Sequence, residues 1–260
     1  MEIVMSRTVP VRAAALGGAV AVLLATVTAC GSSAEEDRSP EHRSFALRGR
    51  TLTIDADDSA LEVVAGSQQA GSIRVTQWFT GSVLLGEDPR ATWDMRDGNR
   101  LVLRVRCRGL FPDCDARHRV EVPHGVTVKV EDENGRVRAR GFKDALDIRT
   151  RNGSVHVTDT SGPLELHSDN GSVRAEVSSR RVRAGTLNGA VRLRLDAVPD
   201  KVGATSENGS VGITLPRAAY RVTTRSDNGP VDVSVPRDDS SPHTVSATTS
   251  NGRITVRTTG

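Results

Sequence analysis

Apolar and polar residues alternate along most of this chain, and from residue 127 onward the alternation repeats. The dipeptide Asn-Gly recurs at Asn134, Asn152, Asn170, Asn188, Asn208, Asn228 and Asn251, with spacings of 18, 18, 18, 20, 20 and 23. Six residues before each Asn stands an aliphatic residue: Val128, Leu146, Leu164, Val182, Val202, Val222 and Val245. Three residues after it stands Val137, Val155, Val173, Val191, Val211, Val231 or Ile254. Further small or apolar columns lie four before and five after, and polar residues fill the gaps. Period-two alternation on both sides of a turn predicts strand, turn, strand.

A single Asn-Gly between strands would suggest a hairpin. A ladder of them predicts a β-solenoid, with each unit one coil and the aliphatic columns stacked in register. A small hydroxyl column two before Asn (Thr150, Ser168, Thr186, Ser206, Ser226, Thr249) supports this, because such side chains can satisfy turn backbones from coil to coil. Asp132 is its exception. Length varies at one edge only, where Pro163, Pro199, Pro216, Pro236 and Pro242 fall. The turn glycines are expected to supply positive φ. The fold class is therefore all-β: a single-chain β-solenoid of 18–20-residue coils over 127–260, with an irregular β cap over 45–126. Asp97-Gly98 marks a hairpin in that cap, and Trp78 and Trp93 are expected to plug the end of the stack. The stretch 80–92 is the excursion where function is most expected, or else a long connection and nothing more.

The first 29 residues have another character. Arg7 and Arg12 precede an apolar run over 13–27, too short to span a bilayer. It ends in Val27-Thr28-Ala29-Cys30. That pattern resembles a bacterial lipobox, which implies cleavage before Cys30 and diacylglycerol on its sulfur. Residues 1–29 then read as a lipoprotein signal peptide, and the polar stretch 30–44 as a flexible tether holding the folded part outside the cell membrane. In an exported chain the remaining cysteines, Cys107 and Cys114, with six residues between them, predict a disulfide.

Lipobox, tether and Asn-Gly-x-Val-x-Val coils together resemble a bacterial, actinobacterial-type family of β-strand-repeat envelope lipoproteins of unknown function, some of which carry the label adhesin. The resemblance covers about residues 45–257. It implies surface exposure and an adhesin-like or sensing role, and supplies no catalytic residues.

The sequence itself adds no enzymatic signature. It lacks a His-Glu-x-x-His helix, a Gly-x-Ser-x-Gly elbow and a phosphate-binding Gly-Lys-Ser/Thr loop. The six His are scattered. Glu133, Asp169, Glu207 and Asp227 precede turns, but Arg151, Leu187 and Ser250 break the row and no calcium repeat is present. No cofactor, no metal and no enzyme activity is expected. Without residues 1–29 the chain has 33 basic and 31 acidic side chains, so net charge says little about partners. Placement says more. The outward positions four and six after Asn gather Arg138, Arg140, Arg174, Arg192 and Arg194, near His156, on one sheet face. Such a face suits an anionic wall polymer or an envelope protein. Nucleic acid is not expected, since no aromatics interleave these arginines. Two rival readings remain: a β-helix enzyme acting on acidic polysaccharide, and a sensory partner of a membrane signalling protein.

Overall fold

The computed structural model describes residues 39–66 and 68–259. The expected signal peptide, Cys30 and most of the expected tether lie outside these residues. The described chain is all-β, with an eleven-stranded and a ten-stranded sheet and one small two-stranded pair. Each coil places its pre-turn strand in the ten-stranded sheet and its post-turn strand in the eleven-stranded one. The coils pair in parallel, with equivalent residues opposite each other. Leu146 lies between Val128 and Leu164, and Val155 between Val137 and Val173. The aliphatic columns thus pile up between the sheets and form one continuous core, buried except in the outermost coil, where Val222 and Val233 are half-buried and Val231 is exposed. Alternation on a parallel strand buried on one face only is what period two requires.

The turn edge is stitched by two ladders. Asn152 Nδ2 donates to Asn134 Oδ1 at 2.8 Å, Asn170 to Asn152 at 2.9 Å, Asn188 to Asn170 at 2.8 Å and Asn208 to Asn188 at 3.0 Å. Ser168, Thr186, Ser206 and Thr249 donate their hydroxyls to the carbonyl of the preceding layer's turn glycine at 2.8–2.9 Å. The turn glycines are needed for a reason other than the one expected. Gly135, Gly153, Gly171, Gly209 and Gly252 do not have positive φ, and Gly189 and Gly229, at 157°, sit at the edge of the extended range. The constraint is contact: a Cβ on Gly153 would stand 1.8 Å from the Gly135 carbonyl oxygen, and one on Gly171 2.1 Å from that of Gly153.

Stacking order departs from chain order at the far end. Residues 244–258 lie between coil 201–215 and coil 221–234, pairing with both. The chain reaches the outermost layer and then folds back to fill the gap. Tyr220, fully buried, sits where the connecting segments meet: its N–H donates to Pro236 O at 3.0 Å and its hydroxyl to Pro216 O at 2.8 Å. Asn251 accordingly donates to Asn208, and Asn228 to Asn251. The extra length between Asn228 and Asn251 is this return path.

Regular stacking also extends upstream of residue 127. Thr51–Ala56 and Ala60–Gly66 pair in parallel with Thr127–Asp132 and Val137–Arg140. Asp57-Asp58-Ser59 replaces the usual turn, and Asp58 Oδ1 accepts from Asn134 Nδ2 at 2.8 Å as the first acceptor of the amide ladder. Arg100–Arg106 and Asp113–Pro123 add one further parallel layer. Arg90–Arg96 and Ser72–Ser82 close the end with antiparallel strands. The 90–106 hairpin turns at Asp97-Gly98, both at positive φ. Trp93 packs on the core beside Phe45 (ring centroids 6.5 Å), whereas Trp78 does not plug the stack; Arg117 lies 5.0 Å from its ring. On this strand the phase of alternation places Ile73 and Val75 inside.

Asp132 marks the joint between the two regions. Its Oδ2 accepts from Gly135 N at 3.0 Å and Thr150 Oγ1 at 2.8 Å, but its Oδ1 is buried without a partner among the described residues. That Oδ1 lies 3.1 Å from the site of a Gly135 Cβ, where Ser168 and Ser206 hold their hydroxyl oxygens 2.9 and 3.2 Å from the equivalent points of Gly171 and Gly209. The carboxyl therefore occupies the place of a hydroxyl donor. Burial, reinforced by Asp57 and Asp58, pushes its pKa up to about 6 against the bonds from Thr150 and Gly135.

Candidate anion-binding face

Parallel registration turns sequence columns into spatial rows. On the outer side of the eleven-stranded sheet, Glu62, Arg138, His156, Arg174, Arg192, Gly212 and Thr255 are successive neighbours. A second row runs Arg140, Thr158, Glu176, Arg194, Thr214 and Arg257. Strand spacing brings like charges to about 4.8 Å apart at the backbone, which is unfavourable unless the side chains splay, pair or bind an anion.

Pairing relieves part of the charge. Arg140 Nε lies 3.6 Å from Glu62, Arg174 Nε donates to Glu176 Oε1 at 2.8 Å, and Arg194 Nε lies 3.6 Å from Asp196. Arg138 and Arg192 form no ion pair among the described residues. Arg174, with Arg194 nearby, holds the Glu176 carboxyl below its ordinary range. Burial and the adjoining Arg174 and Arg138 lower the His156 pKa. His156 is thus a neutral spacer between two arginines rather than a further cation, and its Nε2 has no partner among the described residues.

A groove of about 490 Å³ opens at Gly212, where a side chain is missing from the first row. Arg174, Arg192, Arg194, Arg253 and Arg257 line it, with Glu176 the one acid. The arrangement offers several guanidinium forks around a floor of short side chains, a geometry for bidentate contact with phosphate or carboxylate groups.

The opposite sheet is balanced at the cap side. Asp55 bonds Arg100 and Arg104, Glu131 bonds Arg100, and Arg149 bridges Asp147 and Glu165. Farther along, Arg181, Arg183, Lys201 and Arg221 surround a second groove, of about 710 Å³, over Gly203. Sequence reasoning overlooked this cluster; the five- and seven-before-Asn columns carried the signal.

Cys107 and Cys114 are bonded, with Cα atoms 6.2 Å apart. They close the turn that leads from one sheet to the other in the layer next to the cap, on the Asn-Gly edge and away from the arginine rows.

A family model described as Toastrack DUF4097 matches residues 54–258. The chain belongs to the Toastrack family. Its match begins in the first parallel coil and ends in the last, so the whole stack is Toastrack architecture. A search of curated proteins finds no significant match. Among solved structures, a "putative adhesin" from Parabacteroides merdae is 13% identical, covering 86% of this chain and 98% of that one, with a TM-score of 0.50. One from Bacteroides fragilis is 13% identical, covering 85% and 98%, with a TM-score of 0.47. Likeness at this identity bears on the fold alone.

Proposed function

We propose that this Toastrack protein is a non-enzymatic, adhesin-like interaction module of the cell envelope. It is hung by lipid on Cys30 from the extracytoplasmic face of the membrane. Its eleven-stranded face binds an anionic wall polymer through Arg138, Arg140, Arg174, Arg192 and Arg194, with His156 as a neutral spacer. The observation that carries the reading is the groove at Gly212, walled by five arginines against a single acid. Repeated anionic groups match repeated guanidinium rows, so the polymer is recognised by its charge spacing rather than by one enclosed pocket. The adhesin label of similar solved structures agrees with a surface role.

The test is retention on purified phosphate-bearing wall polymer. Arg138/Arg174/Arg192→Ser should lower retention at least about tenfold, and wild-type binding should weaken steeply with salt. Equal retention of the two proteins would overturn the reading.

A further inference from the structure

The cap end of the turn edge carries a group of exposed apolar side chains. Leu85–Gly86 pairs antiparallel with Gly109–Leu110, joining two long turns into a small tip. Leu84, Leu85, Leu110 and Phe111 there are 70%, 66%, 56% and 80% exposed. Other exposed large apolar residues, Leu187 and Val231, stand singly. Single ones need no explanation; a contiguous group does.

The tip is built to hold its shape. A Cβ on Gly86 would stand 2.3 Å from the Arg108 carbonyl oxygen and one on Gly109 2.4 Å from that of Leu85, so the two backbones touch. Leu84 N donates to Leu110 O and Glu87 N to Arg108 O, both at 3.1 Å. The Cys107–Cys114 bond closes one arm at its base. Phe111 adopts φ of 52°, costly for a bulky residue, while its exposed ring gains nothing from packing within the chain.

The chain enters at the base of this tip. Glu41 lies opposite Gln77 in an antiparallel pair, so Ser39 falls toward Phe79, on the strand end that runs into Leu84. Ser39, Phe79, Pro89 and Arg90 line one shallow pocket. Nine residue steps separate Cys30 from Ser39, a reach of at most about 30 Å.

We propose that the Leu84/Leu85/Leu110/Phe111 tip inserts into the outer leaflet of the membrane that holds Cys30. Leucine and phenylalanine enter the acyl boundary, and the exposed charged residues that flank them, Arg106 and Arg108 with Glu87, Asp88 and Asp113, stay at the headgroup level. The lipid supplies attachment; the tip supplies a second contact that limits how the stack can turn about its tether. The inference rests on the lipid-anchor part of the proposed function.

The experiment uses the full chain purified from membranes, carrying Phe111→Trp, in phosphatidylcholine/phosphatidylglycerol vesicles with acyl-brominated lipid. Mass spectrometry reads the lipid on Cys30. Bromine should quench the introduced indole at least about twofold beyond the signal from Trp78 and Trp93, and adding Leu84→Ser and Leu110→Ser should abolish that quenching. Unquenched emission from a chain that carries its lipid overturns the tip and leaves the anchor standing. An unmodified Cys30 overturns the anchor and, with it, the tip. Photo-crosslinks from position 111 to an envelope protein in place of lipid also overturn it.

Discussion

The Asn-Gly edge and the outer sheet faces are built from the same coils under opposite constraints. At the edge, each glycine touches the carbonyl of the layer below and each carboxamide bonds its neighbours, so side-chain choice is nearly closed. On the faces, equivalent positions hold Arg192, Gly212 and Thr255 in succession, and nothing in the stack decides among them. The architecture resides at the edge, and the faces are free to carry recognition. The same locality explains the exchanged order of the last two layers. Each coil reads only the register of whatever it lies against, so 244–258 fits between 201–215 and 221–234 as well as any other coil would.

The most direct challenge to this contrast is to place one methyl group in each region. Gly153→Ala puts a Cβ 1.8 Å from the Gly135 carbonyl oxygen, and backbone on both sides resists its displacement. Forced separation of two layers should cost about 3–5 kcal/mol, read as a lowered denaturation midpoint or failure to fold. Gly203→Ala, on a face with nothing within 4 Å, should be unchanged or slightly more stable. Equal effects at the two positions would refute the contrast.

Asp132 is the edge position that departs from the edge rule, and pH exposes the departure. Its folded pKa, about 6, lies above the unfolded value of 3.8. Stability linked to this group is therefore full below about pH 4 and is lost as pH rises through 6. Asp132→Ser restores the hydroxyl of the other coils. It should match wild type near pH 4 and exceed it by about 2–3 kcal/mol at pH 8. His118 works in the opposite sense: burial lowers its pKa to about 4, so its contribution is present above pH 6.5 and fades as pH falls toward 4. In wild type the two slopes oppose each other between pH 4 and 6. In the serine variant the acid loss from His118 should emerge unmasked in urea titrations across that range. A flat difference between variant and wild type would show that Asp132 is ionised in its burial site.

The amide ladder gives a smaller effect with an internal control. Asn170 donates to Asn152 and accepts from Asn188, whereas Asn228, in the outermost layer, donates to Asn251. These side chains are exposed, so Asn170→Ala should cost about 1 kcal/mol and Asn228→Ala about half of that, measured by chemical denaturation.

These two ladders also show what the sequence could and could not convey. Valine columns at fixed offsets from Asn134 through Asn251 made the coils, their inward faces and the arginine rows legible, because parallel stacking converts offset into position. Order was not legible, since Val222 and Val245 carry identical patterns; only the long Asn228–Asn251 interval hinted at a detour. The coil at 51–66 was hidden because Asp57-Asp58 replaces Asn-Gly. The stretch 80–92 stood out as an excursion, but the tip was hidden because pairing of Leu85 with Leu110 spans an irregular stretch with no repeat to align it, although Val83-Leu84-Leu85 and Leu110-Phe111 are apolar runs in polar surroundings.

A single position on the arginine face separates folding from recognition most cleanly. Gly212 is a strand residue on the arginine face, and no heavy atom lies within 4 Å of the place a methyl group would take there. Alanine restricts the unfolded chain and fits the extended backbone, so Gly212→Ala should raise stability by about 0.4–1 kcal/mol. The same methyl stands on the floor of the groove that Arg174, Arg192, Arg194, Arg253 and Arg257 surround. If polymer lies along the groove floor, a larger Gly212→Leu should weaken retention several-fold while the melting temperature holds. If the arginines instead reach outward to polymer that never enters the groove, Gly212→Leu and wild type should bind alike. In that case recognition rests on charge spacing along the rows alone, and Arg138 and Arg192, which lack a carboxylate partner among the described residues, become the positions where a single Ser substitution should matter most.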